Sequence, residues 1–498
     1  MELSRTGEPT SRDKTIYFYT KVLSYRDQIE FFESAASRDY IFIAYYNLIR
    51  VAPGLGILDI ETAYRLWEEL CQIRTMPKFC QYDTTNPRIP QLCDRAINDF
   101  RAYGAVLNVE RVIAPSAILS SLENMTQIYY SEILHEHGSI YECPVFTVFN
   151  YHYVQARNGT ITWEAAWQIL DDYYAHKMQT IGQVSSPDLL AFYTNLPLNL
   201  IDVLGHTHFK EEFKQATYRR YRNLITSYLM NQPASLNSYT LNNGVQLVAF
   251  HPLILGTFQN RMEKMNFIVD LVVTRHLTTF THSVMVSYLA EAIGKHILAA
   301  RPELLRIPSS YLAGNAYASP AEVLDYIVPA ALFHDIGKNG MIPIINTQHR
   351  KLNDYEFNII QTHPQKGSDY LSSDPDFLIY QPVALGHHRS YDGTRGYPLS
   401  FDNTASPYRD AIDLIHICDC LDAATDYLSR NYHRAKPFDV VLNELKAGRG
   451  TEYNPDMVDV ILSDRELYND LKMLTEQNRE NIYYDIYLTF VNLRKKRQ

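Results

Sequence analysis

The sequence predicts a mainly α protein of two domains, and three observations carry that expectation. A chain of 498 residues exceeds what one core holds, since single hydrophobic cores stop growing near ~250–300 residues. Apolar residues recur at mixed three- and four-residue steps in most extended segments, the period of a helix face. A polar, turn-rich stretch from Asn231 through Gly244 supplies a boundary between the halves.

In the first half, Arg26–Asn47, Ile60–Ile73, Trp163–Tyr174 and Phe209–Met230 carry the helical period. Asp59 and Thr162 stand where an N-cap is needed, each followed within one turn by a glutamate, which suits the positive end of a helix. The segments Gly56–Tyr64 and Gly159–Trp167 look alike, and shared capping chemistry explains that more simply than duplication. Residues 1–244 are therefore expected to form a mostly helical N-terminal domain without a catalytic constellation. Residues 245–498 are expected to form an all-helical catalytic domain. Within it Val245–Phe250 reads as a short strand, and long loops interrupt the helices near Ile307–Ser319 and Tyr391–Tyr408.

An apolar fraction of 46% is ample for packed cores, while a net charge of −10 argues against a large nucleic-acid footprint. A small anionic substrate stays compatible, because bound metal reverses the local field. The polar start of the chain lacks a signal-peptide core, and no apolar run approaches the ~20 residues of a membrane span. A cytoplasmic location is expected. Six cysteines without paired spacing form neither a disulfide framework nor a thiolate zinc site, which fits free thiols in a reducing compartment.

The chemistry begins at Ala330-Ala-Leu-Phe-His-Asp-Ile-Gly-Lys338, where His334 and Asp335 end an apolar helix. Alone, such a pair reads as a buried histidine beside a satisfied carboxylate. Upstream, His282 shares an inward stripe with Val286, Leu289 and Ile293; downstream, His363 shares a face with Ile360 and Gly367. His387 and His388 follow, and then Asp419 in line with Ile415 and Asp422. Each aims a polar group at a core, which is costly without a partner. Five histidines and two aspartates together suit a hard divalent ion of the Mn or Fe type better than thiolate-bound zinc.

The order of these residues, with Gly337-Lys338, Ile342-Pro343, Asp392-Gly393, Gly396-Tyr397-Pro398 and Asp419-x-x-Asp422-Ala423, resembles the HD-GYP family from about Arg275 to Tyr432. The resemblance implies a bacterial, all-helical phosphodiesterase that opens cyclic di-GMP, to pGpG or GMP, or in some members cyclic GMP-AMP. It implies two divalent ions, Fe or Mn, held by His282, His334, Asp335, His363, His387, His388 and Asp419, with Asp335 bridging. Asp335 and Lys338 would be catalytic, Lys338 also binding phosphate. Arg389, Arg395, Gly396, Tyr397 and Pro398 would form the substrate cleft, and Asp422 would support Asp419. The reaction implied is attack of an activated water on a phosphorus atom of the cyclic dinucleotide. By analogy with the family, the N-terminal half is a sensory, regulatory or dimerising module, engaging a second copy or a signalling partner.

The chain departs from the family pattern at several points. Thr278 stands where some members carry a glutamate for a third ion. Arg389 replaces the acid of the usual His-His-Glu, and one residue is inserted before Gly396 and another before Ile342. Asp413 stands where an arginine is frequent. None removes a ligand of a two-metal centre. Two other readings stay open: an HD hydrolase of another phosphoester, and a metal- or ligand-binding module that signals without turnover.

Overall fold

A computed structural model describes residues 9–31, 35–51, 58–76, 88–104, 116–180, 189–232, 239–273, 277–309, 317–341, 352–428 and 435–495. Helices dominate them. Among the described residues β structure is limited to isolated bridges, such as Arg389 with Gly396. No described helix is long and apolar enough to cross a membrane. The chain divides into two compact units, Met1–Phe192 with Leu196–Lys214, and Tyr193–Asn195 with Gln215–Gln498.

The first unit is built from helices that include Ile60–Thr75, Arg88–Tyr103, Ser116–His137 and Trp163–Gln179. Its core gathers Ile41, Tyr45, Leu48, Leu70 and Phe100. The expected caps are in place: Asp59 accepts from the Thr62 amide and Thr162 from the Ala165 amide, satisfying donors that a helix start leaves open. Arg26–Asn47 is not one helix; a 3₁₀ turn at Arg26–Phe31 is followed by a separate helix, Ala35–Tyr46.

Division between the units falls inside the helix Glu211–Asn231, earlier than the boundary expected at 244/245. Val245 lies within a helix, Tyr239–Ala249, so the expected strand at Val245–Phe250 is not formed. Leu241, Val245, Val248 and Ala249 are all buried. Their steps of four, three and one mark one helix face, which a six-residue window hides.

Six helices of the second unit position the site: α1 (Leu277–Ala300), α2 (Pro320–Phe333), α3 (His363–Leu371), α4 (Gln381–Gly386), α5 (Arg409–Thr425) and α6 (Arg479–Lys495). Helix α1 packs against both α2 and α5, burying Met285, Val286, Leu289 and Ile293. Ser319 and Glu322 form a capping box that starts α2, with Pro320 at its first position, where proline costs no hydrogen bond. Behind the far end of α2, Phe333 meets the rings of Phe377 and Tyr380. This aromatic wall fixes the end of the helix that delivers His334 and Asp335.

Candidate metal centre

Five segments of chain bring the expected ligands together. His282 sits inside α1, His334 caps α2, and Asp335 starts the 3₁₀ turn Ile336–Gly340. His363 opens α3, after the separate helix Asp354–Ile360 has ended, and His387 caps α4 with His388 next. Asp419 lies within α5. All are buried except His388, whose side chain is 20% exposed.

The structure gathers them into two adjoining groups. Asp335, His363, His387 and His388 can each offer one atom within 4.8 Å of the others, and so can His282, His334 and Asp419. The two carboxylates reach across. Asp335 Oδ1 lies 3.1 Å from His363 Nε2 and 3.6 Å from His387 Nε2, while its Oδ2 lies 3.5 Å from both His282 Nε2 and His334 Nε2. Asp419 Oδ1 is 3.0 Å from His282 Nε2, and its Oδ2 is 3.6 Å from His388 Nδ1. Each carboxylate therefore faces both groups.

Local backbone sets the imidazole tautomers. His334, His363 and His387 each place Nδ1 against the carbonyl oxygen three residues back, at 2.6, 2.7 and 3.0 Å, on Ala331, Ile360 and Ala384. A carbonyl only accepts, so each Nδ1 carries the proton and each Nε2 presents a lone pair. His363 Nε2 and His387 Nε2 then face each other at 3.2 Å with no proton between them. Buried His334 Nε2, His388 Nε2 and Asp335 Oδ1 have no hydrogen-bond partner. Converging lone pairs and orphaned acceptors at such depth are costly in a protein core. They fit a divalent cation, and outer donors to Nδ1 are how metal-binding imidazoles are held.

Burial lowers the pKa of His334, His363 and His387, with His363 brought down to about 4. These rings are neutral near pH 7, as metal ligation requires. Burial also opposes the charge on Asp335, yet the Lys338 ammonium and the surrounding imidazoles hold it well below the usual carboxylate range. His282 behaves oppositely: burial lowers its pKa, but the Asp419 and Asp422 carboxylates outweigh that and raise it to about 9. A cation would take the place of the proton on its Nε2.

Several expected roles change. Asp422 supports His282 rather than Asp419, its Oδ2 accepting from His282 Nδ1 at 2.6 Å. Lys338 joins the cluster, its Nζ donating to Asp335 Oδ2 at 2.5 Å. Arg389 is 5% exposed and donates to the carbonyl oxygens of Gly393 and Gly396. These bonds pin the loop. Arg395 is exposed, and the nearest acid is Glu452 at 3.8 Å. Tyr397 does line the cluster, its ring centroid 4.5 Å from that of His388. Gly396 has φ +88°, and a Cβ there would lie 1.9 Å from His388 O, so only glycine fits. Pro398 follows Tyr397 through a cis bond. Ile342 and Pro343 lie outside the described residues.

Two contributors escaped sequence reasoning. His416, on α5 one turn before Asp419, places Nδ1 2.6 Å from the His387 carbonyl oxygen and so braces the ligand-bearing turn. Its i, i+3 relation to Asp419 was the available signal. Arg479, far along the chain, bonds Asp422 at 2.7 Å, and no local pattern marks it.

The HD domain family model matches residues 279–431, a span that contains all seven clustered residues. This segment is similar to HD domains. The chain is similar, at 26% identity over 303 residues, to a cyclic di-GMP phosphodiesterase of Vibrio cholerae, covering 55% of this chain and 60% of that protein. It is 33% identical over 146 residues to the cyclic di-GMP phosphodiesterase response regulator RpfG of Xanthomonas campestris, covering 29% and 37%. A 3'3'-cGAMP-specific phosphodiesterase 2 of Vibrio cholerae is 26% identical over 203 residues, covering 40% and 37%. The chain thus spans less than two thirds of the length of each of these relatives.

Proposed function

We propose that the HD domain is a metal-dependent phosphodiesterase acting on a cyclic dinucleotide, cyclic di-GMP first. One observation carries the proposal: Asp335 and Asp419 each direct one oxygen to either group of imidazoles, the arrangement two divalent ions need. When bound, such ions supply an acidified water and neutralise charge on phosphoryl oxygens. His282, His334 and Asp419 would hold one, and His363, His387 and His388 the other, with Asp335 shared. Mn or Fe suits this nitrogen and oxygen set.

Lys338, bonded to Asp335 and 21% exposed at its side chain, can turn its ammonium to a phosphate oxygen at the rim. Tyr397 walls the cleft beside His388. Arg389 secures that wall by holding the Gly393 and Gly396 carbonyl oxygens. The names of the relatives support a cyclic dinucleotide, and the 3'3'-cGAMP-specific relative supports cyclic GMP-AMP as the second substrate to try.

Two ions are expected rather than three. Thr278 lies one turn before His282 on α1 and is exposed, and its neutral hydroxyl is a poor ligand for a further hard cation. A weaker hold on the linear dinucleotide follows, so pGpG should accumulate ahead of GMP. The test incubates the full chain, prepared anaerobically and shown by elemental analysis to hold two ions, with cyclic di-GMP and Mn²⁺ or Fe²⁺, and separates the nucleotides. Appearance of pGpG supports the proposal. Metal-loaded protein that leaves both cyclic di-GMP and 3'3'-cGAMP intact would sink it in favour of a module that signals without turnover.

A further inference from the structure

Arg479, the first residue of α6, is the largest fully buried side chain of the described residues. Every nitrogen of its guanidinium is engaged. Nε donates to Thr475 O at 2.9 Å, Nη2 to Thr425 Oγ1 at 2.8 Å, and Nη1 to Asp422 Oδ1 at 2.7 Å and Tyr483 OH at 3.2 Å. Asp422 is also fully buried, and its second oxygen takes the Nδ1 proton of His282. A continuous line thus runs from the C-terminal helix through one carboxylate to one candidate ligand.

Stability alone does not account for this placement. A buried ion pair recovers little more than its own desolvation cost, and well-packed apolar side chains commonly serve as well or better. What the pair does uniquely is orient. With one oxygen clamped by a planar fork, Asp422 keeps the other on His282 Nδ1, which leaves His282 Nε2 aimed at Asp419 and Asp335. The remaining histidines of α2, α3 and α4 take their tautomers from carbonyl oxygens of their own turns and do not depend on Arg479.

We propose that Arg479 is a positioning residue that sets metal affinity in the group His282, His334 and Asp419 alone, making occupancy of that group dependent on the C-terminal helix. The inference rests on reading the cluster as a metal centre. Outer partners of metal-binding histidines are each worth roughly 10–100-fold in affinity. Arg479→Lys keeps the charge and loses the fork, since one ammonium cannot serve Asp422, Thr425 and Thr475 at once.

The full chain, titrated anaerobically with Mn²⁺ under equilibrium dialysis, is expected to bind two ions. Arg479→Lys should keep its helical circular-dichroism spectrum and one ion at unchanged affinity, while the other weakens about 10–100-fold. His282→Ala should lose that same ion, and adding Arg479→Lys to it should cost nothing more. Should Arg479→Lys lose its helical spectrum, Asp422→Asn, which keeps the shape and removes the charge, must give the same selective loss. Two ions at wild-type affinity in a folded Arg479→Lys protein, or equal weakening of both, would overturn the proposal. No Mn²⁺ bound by the unmodified chain would instead overturn the metal-centre reading beneath it.

Discussion

Asp335→Ala is expected to release both ions, not one, and to abolish turnover with them. Its two oxygens face different groups of imidazoles at 3.1 to 3.6 Å, so its removal takes an oxygen from both groups at once. Removing one member of a buried charge arrangement costs about 3–5 kcal/mol, roughly 10²- to 10⁴-fold in metal affinity at each site it serves. Lys338→Ala is the informative contrast. Its ammonium sits on Asp335 Oδ2 and repels a cation at the same carboxylate, so removing it should leave metal affinity at or above wild type while turnover falls. Elemental analysis and nucleotide separation on both variants check this. An Asp335→Ala protein that keeps its metal and its activity would rule out the shared role.

Why the clustered residues were legible and their supports were not has a physical basis. A histidine or aspartate on an inward stripe violates the apolar pattern of its own helix, so the violation is visible locally. His282 amid Val286, Leu289 and Ile293 is such a case, and so is Asp419 amid Ile415. The supports satisfy their neighbours from a distance: Asp422 meets His282 across 140 positions and Arg479 meets Asp422 across 57. Nothing at Arg479 itself breaks a pattern, because an arginine at the start of a surface-like helix is ordinary.

The loop bonds of Arg389 were hidden for a related reason. Charge suggested a substrate contact, but the loop it lies in has carbonyl oxygens turned inward at Gly393 and Gly396, and a guanidinium satisfies several at once. Which way a loop carbonyl points is not written in composition. The second unit also begins before the expected boundary, because proline and polar residues after Asn231 mark a turn-rich sequence without marking where packing changes partner. Tyr239–Ala249, beyond that stretch, sits in the same unit as the helix Arg261–Val273 against which it packs.

Gly337→Ala should disrupt the centre more than the addition of one methyl group suggests. The glycine follows Asp335 by two residues, in the 3₁₀ turn that packs against α3. A Cβ there would lie 2.0 Å from His363 O and 2.6 Å from Gly367 N. Both are backbone atoms, so no side-chain rotation relieves the contact; either the turn or the start of α3 must move. Overpacking of this kind costs about 1–3 kcal/mol. The larger effect is geometric, because the displaced elements carry Asp335 and His363, and a shift of about 1 Å at a reacting centre can cost roughly 10²-fold. Gly450→Ala supplies the control. That glycine, unlike Gly337, has a positive φ, of 76°, and nothing lies within 4 Å of its added Cβ, so backbone strain of about 1–2 kcal/mol is its whole cost. Thermal unfolding should place both variants below wild type, while Mn²⁺ dialysis should show the ion held by Asp335, His363, His387 and His388 weakened in Gly337→Ala alone. Wild-type metal binding in Gly337→Ala would mean that the turn has room to yield, and that close packing of α3 on it does not set the ligand geometry.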